Sequence, residues 1–143
     1  MVRIEELEFP DDLVYDPREH MWLRPQRSLI TVGIDDGGQD ALGDVVYVQL
    51  TEAGRGVSRG EAIGSVEAAK MVRPLLSPIS GKLVEVNRAV MTTPSLLNDD
   101  PYGEAWLCRI EATDWSSERD RFLQGSEAVT AWVNSELAAH GRI

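Results

Sequence analysis

Apolar and polar positions alternate in short runs along most of the chain. SLITVGI (Ser28–Ile34) and DVVYVQL (Asp44–Leu50) are rich in β-branched and aromatic residues and read as strands. Between them Asp35 stands where it can cap a short helix running through Leu42, a helix weakened by Gly37 and Gly38. GEAIGSVEAA and GKLVEV each open on a glycine and lie on either side of the segment around Lys70. EAWLCRIEA (Glu104–Ala112) predicts a further strand with Trp106, Cys108 and Ile110 on one face. After Gly125 the period changes. Val129, Trp132, Val133 and Leu137 form a stripe at helical spacing, with Ser126 as N-cap and Gly141 as stop, so a helix is expected over about 126–140, packed on the sheet. Strands this short, punctuated by glycine and proline, point to a β-sandwich or barrel and not to βαβ units. The expectation is a single domain, residues 1–143, mainly β with short helices and a C-terminal α-helix.

Composition narrows the function. With 143 residues, 43% of them hydrophobic, the chain has enough apolar mass for one core. Its formal charge of −10 argues against nucleic acid or an anionic membrane as partner, and for docking on basic protein surfaces. The acid-rich start, MVRIEELEFPDD, lacks the apolar region of a secretory signal, and no apolar run is long enough to span a bilayer. One cysteine, Cys108, suits a reducing compartment, so a cytoplasmic protein is expected. His20, His140 and Cys108 form no metal-ligand spacing, and neither a phosphate-binding glycine loop nor a G-x-S-x-G elbow occurs. A non-catalytic protein is the better reading.

One residue stands apart. Only Lys70 and Lys82 are lysines; the other basic positions are arginines. Lys70 precedes a Pro-Leu-Leu-Ser-Pro stretch between two apolar runs, where arginine would serve any purely electrostatic purpose. Only lysine offers an amine that can be acylated. Strand, short turn and strand would hold that amine at an exposed hairpin tip. Such a tip is poor for Schiff-base catalysis, which needs a desolvated amine, and good for a carrier that a modifying enzyme must reach. Lys82, inside the following strand, reads as a solvated face residue.

The residues around Lys70 carry a family signature. EAAKMVRPLLSPISGKLVEVN (Glu67–Asn87) resembles the lipoyl-attachment segment of glycine cleavage H-proteins. There a glutamate stands three residues before the modified lysine and a P-x-S-G-x-V/L-x-E-V-N run follows it. Glu67, Lys70, Pro78, Ser80, Gly81, Glu85, Val86 and Asn87 fall in register. TVGIDDGGQDALGDVVYVQL and PSLLNDDPYGEAWLCRI are similar to the family's flanking stretches, so the resemblance covers about Tyr15 to Ile110, with a similar helical tail. It implies a barrel-sandwich hybrid fold, lipoate amide-linked to Lys70, and Glu67, Gly64, Pro78 and Gly81 as supports for the hairpin and for recognition by the attaching enzyme. EAAKM alone is also one residue from the E-A-M-K-M pattern of biotin carriers, but the flanking stretches are those of the H-protein family.

Two departures bear on the pathway. The family's His-Glu-Trp reads His20-Met21-Trp22 here, and a thioether cannot pair with the ammonium of an aminomethylated arm as that glutamate does. MVRP also follows the lysine where the family has A-A-S-D. His20 and Met21 are thus expected to line a more apolar resting place for the arm. The opening FPDDLVYDPREHMW and the K-x-V-x-P run resemble H-protein-like lipoate-binding proteins that serve a heterodisulfide-reductase-like complex in sulfur oxidation. The resemblance therefore implies a carrier of sulfur species for that complex. The alternative is the aminomethyl carrier of the P-, T- and L-proteins of glycine cleavage. Either role implies a lipoate ligase or lipoyl transferase and dihydrolipoamide dehydrogenase as partners; an unmodified scaffold is the remaining possibility.

Overall fold

The computed structural model describes residues 1–140. Along the chain run β1 (Val2–Ile4), β2 (Leu7–Phe9), β3 (Val14–Asp16), β4 (Met21–Gln26), β5 (Leu29–Ile34), α1 (Asp36–Leu42), β6 (Val45–Leu50), β7 (Gly56–Val57), β8 (Ala62–Ala68) and β9 (Val72–Leu76). They are followed by β10 (Gly81–Val86), α2 (Arg88–Thr92), α3 (Leu96–Asp99), β11 (Cys108–Ala112), α4 (Trp115–Glu118), β12 (Leu123–Gln124) and α5 (Ser126–His140). The mainly β architecture expected from the short alternating runs is therefore what forms. β1 and β2 make a hairpin; a seven-stranded sheet has the order β12-β3-β4-β5-β11-β10-β7, and a three-stranded sheet the order β6-β8-β9.

Side chains from the two larger sheets meet in one core. Leu23, Ile30, Val32, Leu83 and Ile110 come from one sheet, and Val48, Val66 and Leu75 from the other. Fully burying each such side chain contributes roughly 1.5–3 kcal/mol. Period two along β4 sends Met21 and Leu23 into this core and Trp22 to the opposite face. There Trp22 joins Val2, Leu7, Phe9, Tyr15, Val129 and Val133 in a second core, which fastens α5 against the N-terminal hairpin. The apolar stripe of the last helix packs as its spacing predicts, with Val129 and Val133 buried.

The short helix α1 forms despite its glycines. Asp35 caps it by accepting a 2.8 Å hydrogen bond from the Gly38 amide. A Cβ on Gly38 would lie 2.8 Å from Ile34 Cγ2 and 3.0 Å from His20 Cβ, so the glycine lets the helix lie against β5.

Three local expectations change. The strand returning from the Lys70 turn is β9, VRPLL, paired antiparallel with β8; GKLVEV forms β10 in the other sheet, between β11 and β7. Pro74 is tolerated because β9 is an edge strand, where a missing amide leaves no ladder partner unsatisfied. Trp106 precedes β11 and packs toward the second core, under the Arg109 guanidinium at 3.9 Å from the ring centroid. Ser126 is the first helical residue, while the carbonyl of Gly125 (φ +90°) accepts the first helical bond from Val129 at 3.1 Å, so the cap lies one residue earlier. Gly141, the expected stop, lies outside the described residues.

Candidate functional site

The β8–β9 hairpin places Ala69, Lys70 and Met71 in its turn, closed by the Ala68 amide donating to the Met71 carbonyl at 2.9 Å. Two further backbone bonds fix it to the body of the protein. Ala69 N–H donates to the Asp44 carbonyl at 2.9 Å and Lys70 N–H to the Leu42 carbonyl at 3.1 Å. The turn is thus docked on the C-terminal end of α1, with its side chains outward.

The Lys70 side chain is exposed and enters no ion pair among the described residues. Its stem lies over Gly43, where an added Cβ would sit 3.2 Å from Lys70 Cγ, and Nζ donates to the Asp40 carbonyl at 3.3 Å. Carbonyls in the last helical turn carry the negative end of the helix dipole and favour an ammonium group there. The amine is therefore lightly held in water: a partner has to break one hydrogen bond and no salt bridge to reach it. That suits acylation from outside and not Schiff-base chemistry.

Of the other residues expected at the site, Glu67 alone shares the tip. It is exposed on β8, between Tyr47 of β6 and Val72 of β9 in cross-strand register. Gly64 lies farther down β8, where a Cβ would come within 2.2 Å of the Gln49 carbonyl oxygen. Gly81 opens β10 with an equally close approach, 2.1 Å, to the Glu111 carbonyl oxygen. Pro78 is buried in the β9–β10 connection. These three residues shape the frame that carries the hairpin and do not touch the lysine. Lys82 is exposed within β10, as its position predicts.

His20 and Met21 do not line an open resting place. Met21 has no exposed surface, because the pleat of β4 turns it into the main core. His20, with φ +55°, is clamped: Nδ1 lies 3.3 Å from Asp35 Oδ1 and Nε2 3.1 Å from Glu136 Oε1. Its ring stacks on Trp132 at 4.8 Å between centroids, and Trp132 Nε1 donates to the same Glu136 oxygen at 3.2 Å. Burial alone would lower the imidazole's pKa, but the hydrogen bond and charge of Asp35, then those of Glu136, outweigh it and raise the pKa above the ordinary value. Asp35 and Glu136 were not expected beside His20, since 116 residues separate His20 from Glu136 and no local pattern joins them.

No group of metal-ligating side chains occurs among the described residues, and no described helix is long and apolar enough to cross a membrane. Cys108 is buried, and desolvation pushes its thiol up to about 12. An open cleft of about 180 Å³ lies against Leu76 and Pro78, at the base of the hairpin and away from its tip.

The sequence model described as glycine cleavage H-protein matches residues 13–136. The chain belongs to that family. It is 46% identical over 108 residues to the glycine cleavage system H protein of Thermus thermophilus, covering 76% of this chain and 84% of the relative. It is 39% identical over 130 residues to the mitochondrial H protein of Pisum sativum, covering 91% of this chain and 77% of the relative. The crystal structure of the glycine cleavage system H protein from Mycobacterium marinum superposes with a TM-score of 0.74 at 37% identity, covering 86% of this chain and 98% of that one. H-proteins carry lipoate covalently on a lysine. This membership decides between the two cofactors that EAAKM alone leaves open, in favour of lipoate. The relatives quoted are all glycine cleavage proteins, so the expectation of a sulfur-oxidation carrier finds no support among them. The H-protein family supplies carrier subunits and not catalysts, in keeping with the lack of catalytic motifs.

Proposed function

We propose that this H-protein carries lipoate on Lys70 and serves as the shuttle of a cytoplasmic glycine cleavage system, passing between its P-, T- and L-proteins, the last being dihydrolipoamide dehydrogenase. The observation that carries the reading is the turn itself: an exposed amine, in no ion pair among the described residues, on a hairpin whose backbone is bonded to the body at two points. The family relationship supports the pathway. When attached, lipoate supplies a reducible disulfide at the end of a long arm. The chain's own contribution is to hold the root of that arm still at a solvent-facing tip while leaving its far end free.

A lysine in this position fits the group. Acylation of Nζ removes the charge that α1 attracts but keeps one N–H, which can still donate to the Asp40 carbonyl. The H-protein frame around it, Gly64 and Gly81 included, is set by close backbone approaches and needs no cofactor to form. Glycine–bicarbonate exchange with purified P-protein tests the proposal. The lipoylated protein is expected to support exchange, and Lys70→Arg to abolish it with the fold intact. No exchange by the lipoylated protein would remove glycine cleavage from the account.

A second reading keeps the same arm but gives it a sulfur cargo and a heterodisulfide-reductase-like partner. What favours it is the FPDDLVYDPREHMW opening and the K-x-V-x-P run from Lys70 to Pro74, and not Met21, which is buried in the main core and meets no arm. Its burial makes Met21→Glu a poor probe, because a carboxylate there would be desolvated inside the main core. The exchange assay on the unmutated protein separates the readings: a rate matching that of another H-protein removes the sulfur reading.

A further inference from the structure

Apolar side chains gather around the attachment lysine. Six large hydrophobic residues stand exposed among the described residues, and four flank the Lys70 turn: Val46 (59%), Tyr47 (52%), Met71 (43%) and Val72 (67%). The register explains the gathering. Tyr47, Glu67 and Val72 stand in one row across β6, β8 and β9, facing away from Val48 and Val66, which are buried. Val46 is the extra residue of a bulge in β6, beside Tyr47, and Met71 is in the turn. The Tyr47 hydroxyl donates to Gln49 Oε1 at 2.7 Å, which lays the ring along the outer face of the sheet. Single exposed apolar residues are ordinary on a soluble protein, whereas four beside one turn, with the Glu67 carboxylate between Tyr47 and Val72, mark a surface that a partner covers.

We propose that this outer face of the β6-β8-β9 sheet, Tyr47 and Val72 above all, is where the enzyme that attaches lipoate to Lys70 docks, with an apolar patch rimmed by basic residues. The inference rests on the attachment reading and names the partner of that same site. With lipoate and ATP the acyl donor is a lipoyl adenylate: the unprotonated amine attacks its carbonyl carbon, AMP leaves and the nitrogen gives up a proton. The attaching enzyme must therefore draw Nζ away from the Asp40 carbonyl and enclose it to keep water from the adenylate. A lysine stem is short, so an enzyme that encloses the amine must also cover the side chains at its root. Enzymes that use the far end of the arm do not have to. The rim charges set the partner's sign: Glu67 and Asp44 are exposed beside the patch, and Lys70 itself is uncharged in the reacting state.

Lipoylation kinetics with a purified lipoate–protein ligase, supplied with lipoate and ATP, test this. The variant Tyr47→Ser/Val72→Ser changes only exposed positions, and its thermal transition should match that of the unmutated protein. Val84→Ser, at an apolar position 41% exposed on β10 in the other sheet, is the control. The double variant is expected to raise the KM for the carrier about tenfold, the size of effect seen when an interface anchor is truncated, while kcat changes little. Added salt should raise the KM of the unmutated protein. Once fully lipoylated, the variant should be reduced by dihydrolipoamide dehydrogenase at the unmutated rate. Equal KM values for variant and unmutated protein would overturn the docking surface while leaving the attachment reading standing. So would an equal loss in Val84→Ser, or a concentration-dependent dimer that Tyr47→Ser abolishes, which would give the face to a second copy. An unmutated protein that takes no lipoyl group would overturn the attachment reading and this inference with it.

Discussion

Replacing His20 with asparagine should loosen the C-terminal helix from the sheet, and by an amount that depends on pH. Asparagine accepts the left-handed backbone at φ +55° but is too short to reach both Asp35 and Glu136. The imidazolium's two contacts are well shielded, with side-chain exposures of 13% for His20, 0% for Asp35 and 21% for Glu136. A hydrogen bond to a charged group is worth roughly 1.5–3 kcal/mol. The 3.3 Å bond to Asp35 is long, and asparagine can replace part of it, so a net loss of about 3 kcal/mol at low pH is the working figure. For a chain of this size each kcal/mol moves the melting temperature by about 3 °C, giving a drop of about 9 °C. The direction with pH follows from the raised imidazole pKa. Protonated His20 contributes fully below its unfolded pKa of about 6.5, and the contribution fades as pH rises through the folded value. Thermal unfolding of both proteins at about pH 5.5 and at alkaline pH should therefore show a wider gap at the lower pH than at the higher, where a neutral ring retains one good hydrogen bond. A gap that is constant, or that widens with pH, would refute the clamp.

Two further outcomes follow from burial and close approach. Cys108 should resist thiol reagents in the folded protein and react once denaturant is added, because its thiol is buried and desolvation pushes its pKa up to about 12; titration with a coloured disulfide reagent measures this, and rapid native reactivity would contradict its placement. Gly64→Ala puts a Cβ within 2.2 Å of the Gln49 carbonyl oxygen, so β6 and β8 must part. Overpacking of this kind costs about 3 kcal/mol, which denaturant melting should register together with slower lipoylation at Lys70; an unchanged midpoint would show that the sheet yields freely.

The elements legible in the sequence are those whose signal is local. The Asp35 cap, the strands around Ile30 and Val48 and the helical stripe from Val129 to Leu137 need only neighbours within a turn or a strand, and each forms where its pattern lies. The exposed lysine at a strand–turn–strand tip was legible for the same reason. The return strand was not, because Pro74 makes VRPLL read as irregular and only its edge position permits it. Nor was the N-terminal hairpin: Glu5 and Glu6 both hold positive φ, at 49° and 74°, in a turn that favours asparagine and glycine. Met21 illustrates a different gap. Its identity was plain in the sequence, but the burial that removes it from any surface pocket depends on which face of β4 meets the three-stranded sheet. The His20–Glu136 contact likewise exists only after α5 docks.

Whether Lys70 is the point of lipoyl attachment is decided by intact-mass analysis after co-expression with a lipoate ligase. One lipoyl adduct per chain is expected, absent in Lys70→Arg and retained in Lys82→Ala. The arginine variant should keep its cooperative thermal transition, since a charge-preserving change at an exposed tip moves stability by less than about 0.5 kcal/mol. An adduct that persists in Lys70→Arg, or a biotinyl group in place of the lipoyl group, would contradict lipoyl attachment at Lys70.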